Sequence, residues 1–341
     1  MQEQLSERPK GFSRHRNFRS DRQLMIHALN IDKVSKRFDA HVAVDDLSIA
    51  IPRGVIYGIL GPNGAGKTTT IRMVMNIIAR DAGNISVLGK DPAAGNGVLR
   101  SIGYLPEERG LYKKMKVLDV IVFFAQLKGM RESTARTSAL AWLDKMGLAG
   151  WAQTKVETLS KGMQQKVQFI ATVLHEPELL ILDEPTSGLD PVNQEVLRQT
   201  ILDAKQQGRT VIFSTHNMEQ AEQMCDSVCI IAGGKKVLDG ELKDLRRKHA
   251  GQRYGIELEP DANAELVAAS LQRTPNLLHS LQRTDQRIEF DLAAGASTRD
   301  ALKALAEADA HIASFIHLQP SLRDIFVRYA GGAAIAERHT A

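Results

Sequence analysis

The sequence is almost without cysteine, with two in 341 residues. Cys225 and Cys229, in "MCDSVCII", cannot build a disulfide framework, form no CxxC pair and have no histidine nearby to complete a metal site. Both read as small buried hydrophobes of a protein kept in a reducing compartment. Long apolar runs are missing too: nothing approaches eighteen uninterrupted apolar residues, so no membrane-spanning helix is expected. The basic N-terminal residues are not followed by an apolar h-region or a small-residue cleavage site, so no secretory signal is expected either. The excess of one charge over the other is small: the net charge of +4 at a pI near 9.0 gives little support for a nucleic-acid-binding face.

What is present describes an ordinary globular chain, 43% hydrophobic and 25% charged. Its length suggests two domains. Part of the positive excess sits in "ERPKGFSRHRNFRSDRQ", residues 7–23, with six Arg/Lys against two acidic residues. That composition suits a tail, so residues 1–25 are expected to be a basic, disordered extension, with a cleaner start at Met25.

Residues 26–245 form the first unit. "LNIDKVSKRF" and "DLSIAIPRG" alternate like half-buried antiparallel strands, and "GVIYGILG" reads as a strand buried on both faces. After it, Ile71, Val74, Met75 and Ile78 follow helical spacing. Residues from about 100 to 160 read as a helical insert, with "VLDVIVFFAQLKGM" and "STARTSALAWLDKMGL" as its helices. "LLILD" and "TVIFSTH" are further buried strands, and "SVCIIAGGKKVLDG" is a hairpin around Gly233-Gly234. The fold class is therefore α/β, a mostly parallel sheet with antiparallel strands beside it. Residues 250–341 read as a small α+β domain: "RYGIELEP", "RIEFDLAA" and "HIASFIHL" as strands, "ANAELVAASLQR", "TRDALKALAEA" and "SLRDIFVRYAG" as helices. No residue there suggests chemistry.

The chemistry begins at "GPNGAGKTTT": Gly61, Pro62, Asn63, Gly64, Ala65, Gly66, Lys67, Thr68 and Thr69 satisfy G-x-x-x-x-G-K-[ST]. Glycines let backbone N–H groups converge on phosphate oxygens, Lys67 reaches the β and γ phosphates, and the Thr68 hydroxyl suits Mg²⁺. The helix that follows points its positive end at the anion. Chance would place the four fixed positions in about one chain of this length per hundred. Here the match also lies between a buried strand and an amphipathic helix. Asp183 ends the strand "LLILD", where a carboxylate holds Mg²⁺. Glu184 follows as the candidate general base, and His216, at the end of "VIFSTH", as a γ-phosphate contact.

Glycine loop, insert, "LSKGMQQK", "LLILDEP", "SGLD" and His216 follow one another in the order of the ATP-binding subunits of ABC transporters, which the chain resembles over residues 28–240. The resemblance implies a P-loop NTPase core that hydrolyses ATP with Mg²⁺. It places "LSKGMQQK" at the signature, where Ser160 and the Gly162 N–H of one subunit close on the nucleotide held by the other. Lys161 replaces a signature glycine, either adding positive charge or facing solvent, and Met163 replaces the glutamine. Phe38 fits the aromatic that stacks on adenine, with Ala43 nearby; a core aromatic on an edge strand is the alternative. Glu107 stands where glutamine is usual and is expected to contact Mg²⁺ or the attacking water. Asp190 would link the two sites across a dimer.

"GYLPEERGLY", the signature and "PSLRDIFVRYAG" narrow the resemblance to bacterial type-2 exporters of the sodium, drug or antibiotic kind. That implies a homodimer, or a heterodimer with a related ATPase subunit, peripheral on the cytoplasmic face of the plasma membrane through a multi-spanning permease, with no stable nucleic-acid partner. Tyr112 and Glu107 are expected on the docking surface, Phe123 and Phe124 in the core. A soluble ATPase acting on ribosomes or nucleic acid is the rival, but it would normally carry two nucleotide modules or a long coiled coil.

Overall fold

The computed structural model describes residues 27–329, apart from 96, 109 and 309. The basic segment 7–23 and Met25 lie outside the described residues.

A six-stranded sheet organises the first body in the order β5-β6-β7-β3-β8-β9. Its strands are β3 (Ile56–Leu60), β5 (Ile102–Leu105), β6 (Leu179–Asp183), β7 (Thr210–Thr215), β8 (Ser227–Ala232) and β9 (Lys235–Glu241). All neighbours are parallel except the β8–β9 hairpin. Every residue of β3, β6 and β7 is buried, as a strand covered on both faces requires. The period of two divides them between two cores: Ile56, Leu60, Leu180 and Leu182 enter one, Tyr57, Ile59, Leu179 and Ile181 the other.

The second of these cores is closed by an antiparallel sheet, β2-β1-β4, made of β1 (His27–Phe38), β2 (His41–Pro52) and β4 (Ala82–Val87). The first is closed by helices Val117–Leu127, Glu132–Lys145 and Lys161–Val173. Two details differ from the sequence reading. Residues 102–105, placed there in the helical insert, form β5 at the edge of the main sheet. Phe123 and Phe124 are half-buried instead of fully enclosed; Phe124 packs against the core and also stacks with Tyr112, centroids 6.0 Å apart.

The second body runs strand, helix, two strands, helix, strand: β10 (Arg253–Leu258), helix Ala264–Arg273, β11 (Leu278–Arg283), β12 (Arg287–Leu292), helix Thr298–Glu307 and β13 (Ile312–His317). The antiparallel order β11-β12-β10-β13 is that of a ferredoxin-like unit. It has its own core around Ile256, Leu271, Ile288 and Phe290. β11 escapes the sequence reading because "LHSLQR" is mostly exposed and shows little apolar alternation.

The chain then returns to the first body. The helix over 322–329 inserts Leu322 into the core that holds Leu242 and Leu245, with Phe326 packed against it. Arg246 donates to the Pro320 carbonyl at 3.3 Å, and Tyr329 meets the His249 ring. An amphipathic pattern announces a helix but not which core receives it. Leu322→Ala is expected to cost about 2–4 kcal/mol. Both tryptophans, Trp142 and Trp151, lie in the first body, so urea unfolding followed by their fluorescence checks this; an unshifted transition would remove Leu322 from that core.

Candidate functional site

Parallel pairing decides where the chemistry sits. β7 lies between β6 and β3, with Asp183 level with Ser214 and Leu60 level with Thr215. The carboxyl ends of three buried strands thus stand side by side. From them emerge the glycine loop after β3, the Asp183-Glu184 pair after β6 and His216 after β7. Ligands bind at such strand ends in open α/β sheets.

The glycine loop is held from behind. Gly61 has φ 154°, and a Cβ there would lie 2.1 Å from the Ile231 carbonyl. Gly66 has φ 102° and opens the helix Lys67–Val74; a Cβ would lie 2.4 Å from the Ala43 carbonyl. Only glycine admits this backbone beside its neighbours. Gly234 N–H donates to the Ala65 carbonyl (3.2 Å), and Asp45 N–H to Gly234 (2.9 Å), so the β8–β9 turn ties the loop to β2.

Lys67 curls over the loop, donating to the carbonyls of Gly61 (2.8 Å) and Pro62 (3.2 Å), with Glu184 Oε1 at 3.9 Å. Burial lowers its pKa, while Glu184, Asp183 and Glu107 pull the other way. Asp183 is fully buried, and burial raises its carboxyl above the usual range against hydrogen bonds from Ser214 and Thr68. Its Oδ2 has no hydrogen-bond partner among the described residues. A buried carboxylate oxygen without a donor, beside a threonine hydroxyl, is a donor set that suits a hard divalent cation.

Glu184 occupies the left-handed region at φ 48°, a strained setting for a non-glycine residue. Its Oε1 accepts from the His216 N–H (3.1 Å) and lies 2.8 Å from His216 Nδ1; Thr215 Oγ1 donates to Oε2 at 3.4 Å. The base candidate and the histidine are therefore one unit.

A cleft of about 610 Å³ gathers most of the residues singled out from sequence: Phe38, Ala43, Asn63–Thr69, Glu107, Glu184 and His216 line it. Phe38 is 46% exposed, which removes the buried edge-strand alternative. His41 and Ser187 also line the cleft, and Ser214 and Thr215 position its acids; the sequence reading passed over all four. A Ser-Thr pair inside the apolar run "TVIFSTH" was the available signal. Ser160 and Gly162 do not line this cleft. Ser160 is exposed and caps the helix Lys161–Val173 through Met163 N–H (3.3 Å). Asp190 likewise caps Pro191–Gln206, and the Asn193 backbone N–H is the main cause holding its carboxyl below the usual range. The signature and "SGLD" are neighbours: a Cβ on Gly162 would lie 3.7 Å from the Gly188 carbonyl.

Residues 44–187 match the family described as ABC transporter, and residues 240–330 match the C-terminal domain of DrrA1-3-like ATP-binding proteins. An uncharacterized ABC transporter ATP-binding protein of Bacillus subtilis, YhaQ, is 41% identical over 303 residues, 89% of this chain and 98% of that protein. The linearmycin resistance ATP-binding protein LnrL of the same organism is 32% identical over 312 residues, 89% and 98% of the two chains. A solved ATP-binding subunit of an ABC transporter superposes with a TM-score of 0.62 at 31% identity, over 65% of this chain and 92% of the other.

A raised carboxyl pKa in the fold means stability that is present below the ordinary Asp range and lost as pH rises through the folded value. Asp183→Asn removes that loss. The variant is expected to unfold at higher urea than the parent at neutral pH, with an advantage that shrinks toward about pH 4. An advantage independent of pH, or none, would refute the assignment.

Proposed function

The chain belongs to the ATP-binding subunits of ABC transporters, which hydrolyse ATP, and from that premise we propose that it energises a membrane-embedded exporter through ATP-driven closure of two such subunits. One observation carries the reading. The cleft holds the glycine loop, Lys67, Glu184 and His216, while Ser160 and Gly162 of the same chain do not line it. Two copies facing each other, each offering its signature to the other's cleft, would complete both sites.

In that sandwich the loop N–H groups and Lys67 bind the phosphates and Phe38 stacks the base. His216 and the partner copy's signature contact the γ-phosphate. Mg²⁺ would be held by Thr68 and Asp183, with Glu107 at the rim, and would supply neutralisation of the phosphate charge. Glu184 orients the attacking water and takes its proton. The water oxygen bonds to the γ-phosphorus as the β,γ-bridging bond breaks, leaving ADP and phosphate. Loss of the shared phosphate lets the copies part, and Asp190 beside the signature links one site to the other.

Closure must reach a membrane partner. Among the described residues no helix is long and apolar enough to cross a membrane, so the transport path would belong to a multi-spanning permease. The reading places this chain on its cytoplasmic face. A largely apolar groove of about 310 Å³, lined by Tyr104, Pro106, Leu111, Phe124 and Leu127, opens beside the loop that carries Glu107 and Tyr112. Gln168, on the signature helix, donates to the carbonyls of Pro106 (3.4 Å) and Glu108 (3.2 Å) of that loop. A permease segment seated there would move with the signature. The similarity to the linearmycin resistance ATP-binding protein supports export as the direction.

Glu184→Gln is expected to bind ATP like the parent and to lose turnover by about 100-fold or more; near-normal turnover would remove Glu184 from its role. Purification from detergent-solubilised native membranes is expected to bring down a multi-spanning membrane protein, and Tyr112→Glu to release it. Ribosomes or DNA in its place would overturn the exporter reading while leaving the ATPase intact.

A further inference from the structure

Phe38 ends β1 at a two-residue turn, an exposed place for a side chain meant to stack. A free aromatic there would sample several rotamers, and ordering it on each binding event would cost affinity. The structure supplies a restraint. Lys36 Nζ lies over the Phe38 ring, 5.3 Å from its centroid. The Lys36 side chain is only 14% exposed, and its ammonium donates to Asp81 Oδ1 at 2.7 Å. The other oxygen of Asp81 accepts from the Arg37 N–H at 2.7 Å. Arg37 stands at a register shift of the β1–β2 ladder, so Asp81 satisfies the backbone where the ladder is irregular. The Asp81 N–H donates in turn to the Ser35 carbonyl at 3.0 Å. One residue, immediately before β4, therefore fixes the cation and the backbone beside the ring through its carboxylate, and the approach of β4 to β1 through its N–H.

We propose that Lys36 and Asp81 are a positioning pair that holds the Phe38 ring in place as a stacking platform for the nucleobase. The proposal rests on the reading of the cleft as an ATP site. The cation covers one face of the ring, and a purine takes the face turned to the cleft. His41, level with Phe38 across the turn, lines the same end. Lys36 does not line the cleft, whereas Phe38 does. Its effect on nucleotide therefore passes through the ring and not through direct contact with phosphate. Lys67 serves the phosphates, Lys36 the base.

The test uses the full chain and two ligands, ATP and inorganic tripolyphosphate, which has phosphates but no base. Lys36→Met keeps the stem and removes the charge. Its ATP affinity is expected to fall about two- to five-fold, the fold-change a cation–π contact at an exposed site corresponds to. The change should appear in KM and not in the saturating rate, and tripolyphosphate affinity should not move. Lys36→Arg, which keeps a cation over the ring, should restore ATP binding. In a Phe38→Ala background, Lys36→Met should add nothing. Unchanged ATP affinity, an equal loss for tripolyphosphate, or a full further loss without the Phe38 ring would each overturn the pairing. A parent protein that bound neither ligand, or a Lys67→Ala variant that bound both normally, would instead sink the underlying reading of the site.

Discussion

A fully buried carboxylate at the end of β6 is the constraint around which the site is built. Asp183 has no access to water and must be met by donors or cations from its neighbours. Ser214 reaches it only because β7 pairs with β6 in parallel at that level. The same pairing puts Thr215 and His216 beside Glu184, and the β7–β3 pairing brings Lys67 to both acids. Slipping either register by one residue would turn these side chains to the opposite face and leave the carboxylate stranded. The buried strands therefore hold both the core and the chemistry.

From that centre the links run outward. The β8–β9 turn braces the glycine loop, so the antiparallel edge of the main sheet supports the phosphate end of the cleft. Gln168 and Thr172 join the signature helix to the 104–108 strand end and loop, the latter through the Tyr104 carbonyl at 3.3 Å. Arg246 pairs with Glu222 at 3.3 Å, on the helix that follows His216, and also donates to the Pro320 carbonyl. The second body is thereby tied to the helix behind the histidine, a connection made through side chains far apart in sequence.

The departures from the family pattern are accommodated differently. Lys161 is exposed at the first turn of its helix, where a cation meets the positive end of the helix dipole. Met163 is half-buried and packs against the core. Glu107 is exposed at the rim of the cleft, close enough to weigh on Lys67.

The sequence by itself determined the phosphate loop, the acidic pair, the histidine, the buried strands and most helices. These are local matters: a glycine spacing, an apolar run and a helical period are all written within a dozen residues. Tertiary structure alone decided that Ser214 holds Asp183, that residues 102–105 join the main sheet, that β4 and β11 complete sheets their own patterns hardly announce, and that the 322–329 helix returns to the first body. It also separated Ser160 and Gly162 from the cleft formed by the same chain. Those outcomes depend on which strand lies beside which, and pairing across tens or hundreds of residues is fixed by the shared burial of whole faces, which no short stretch encodes.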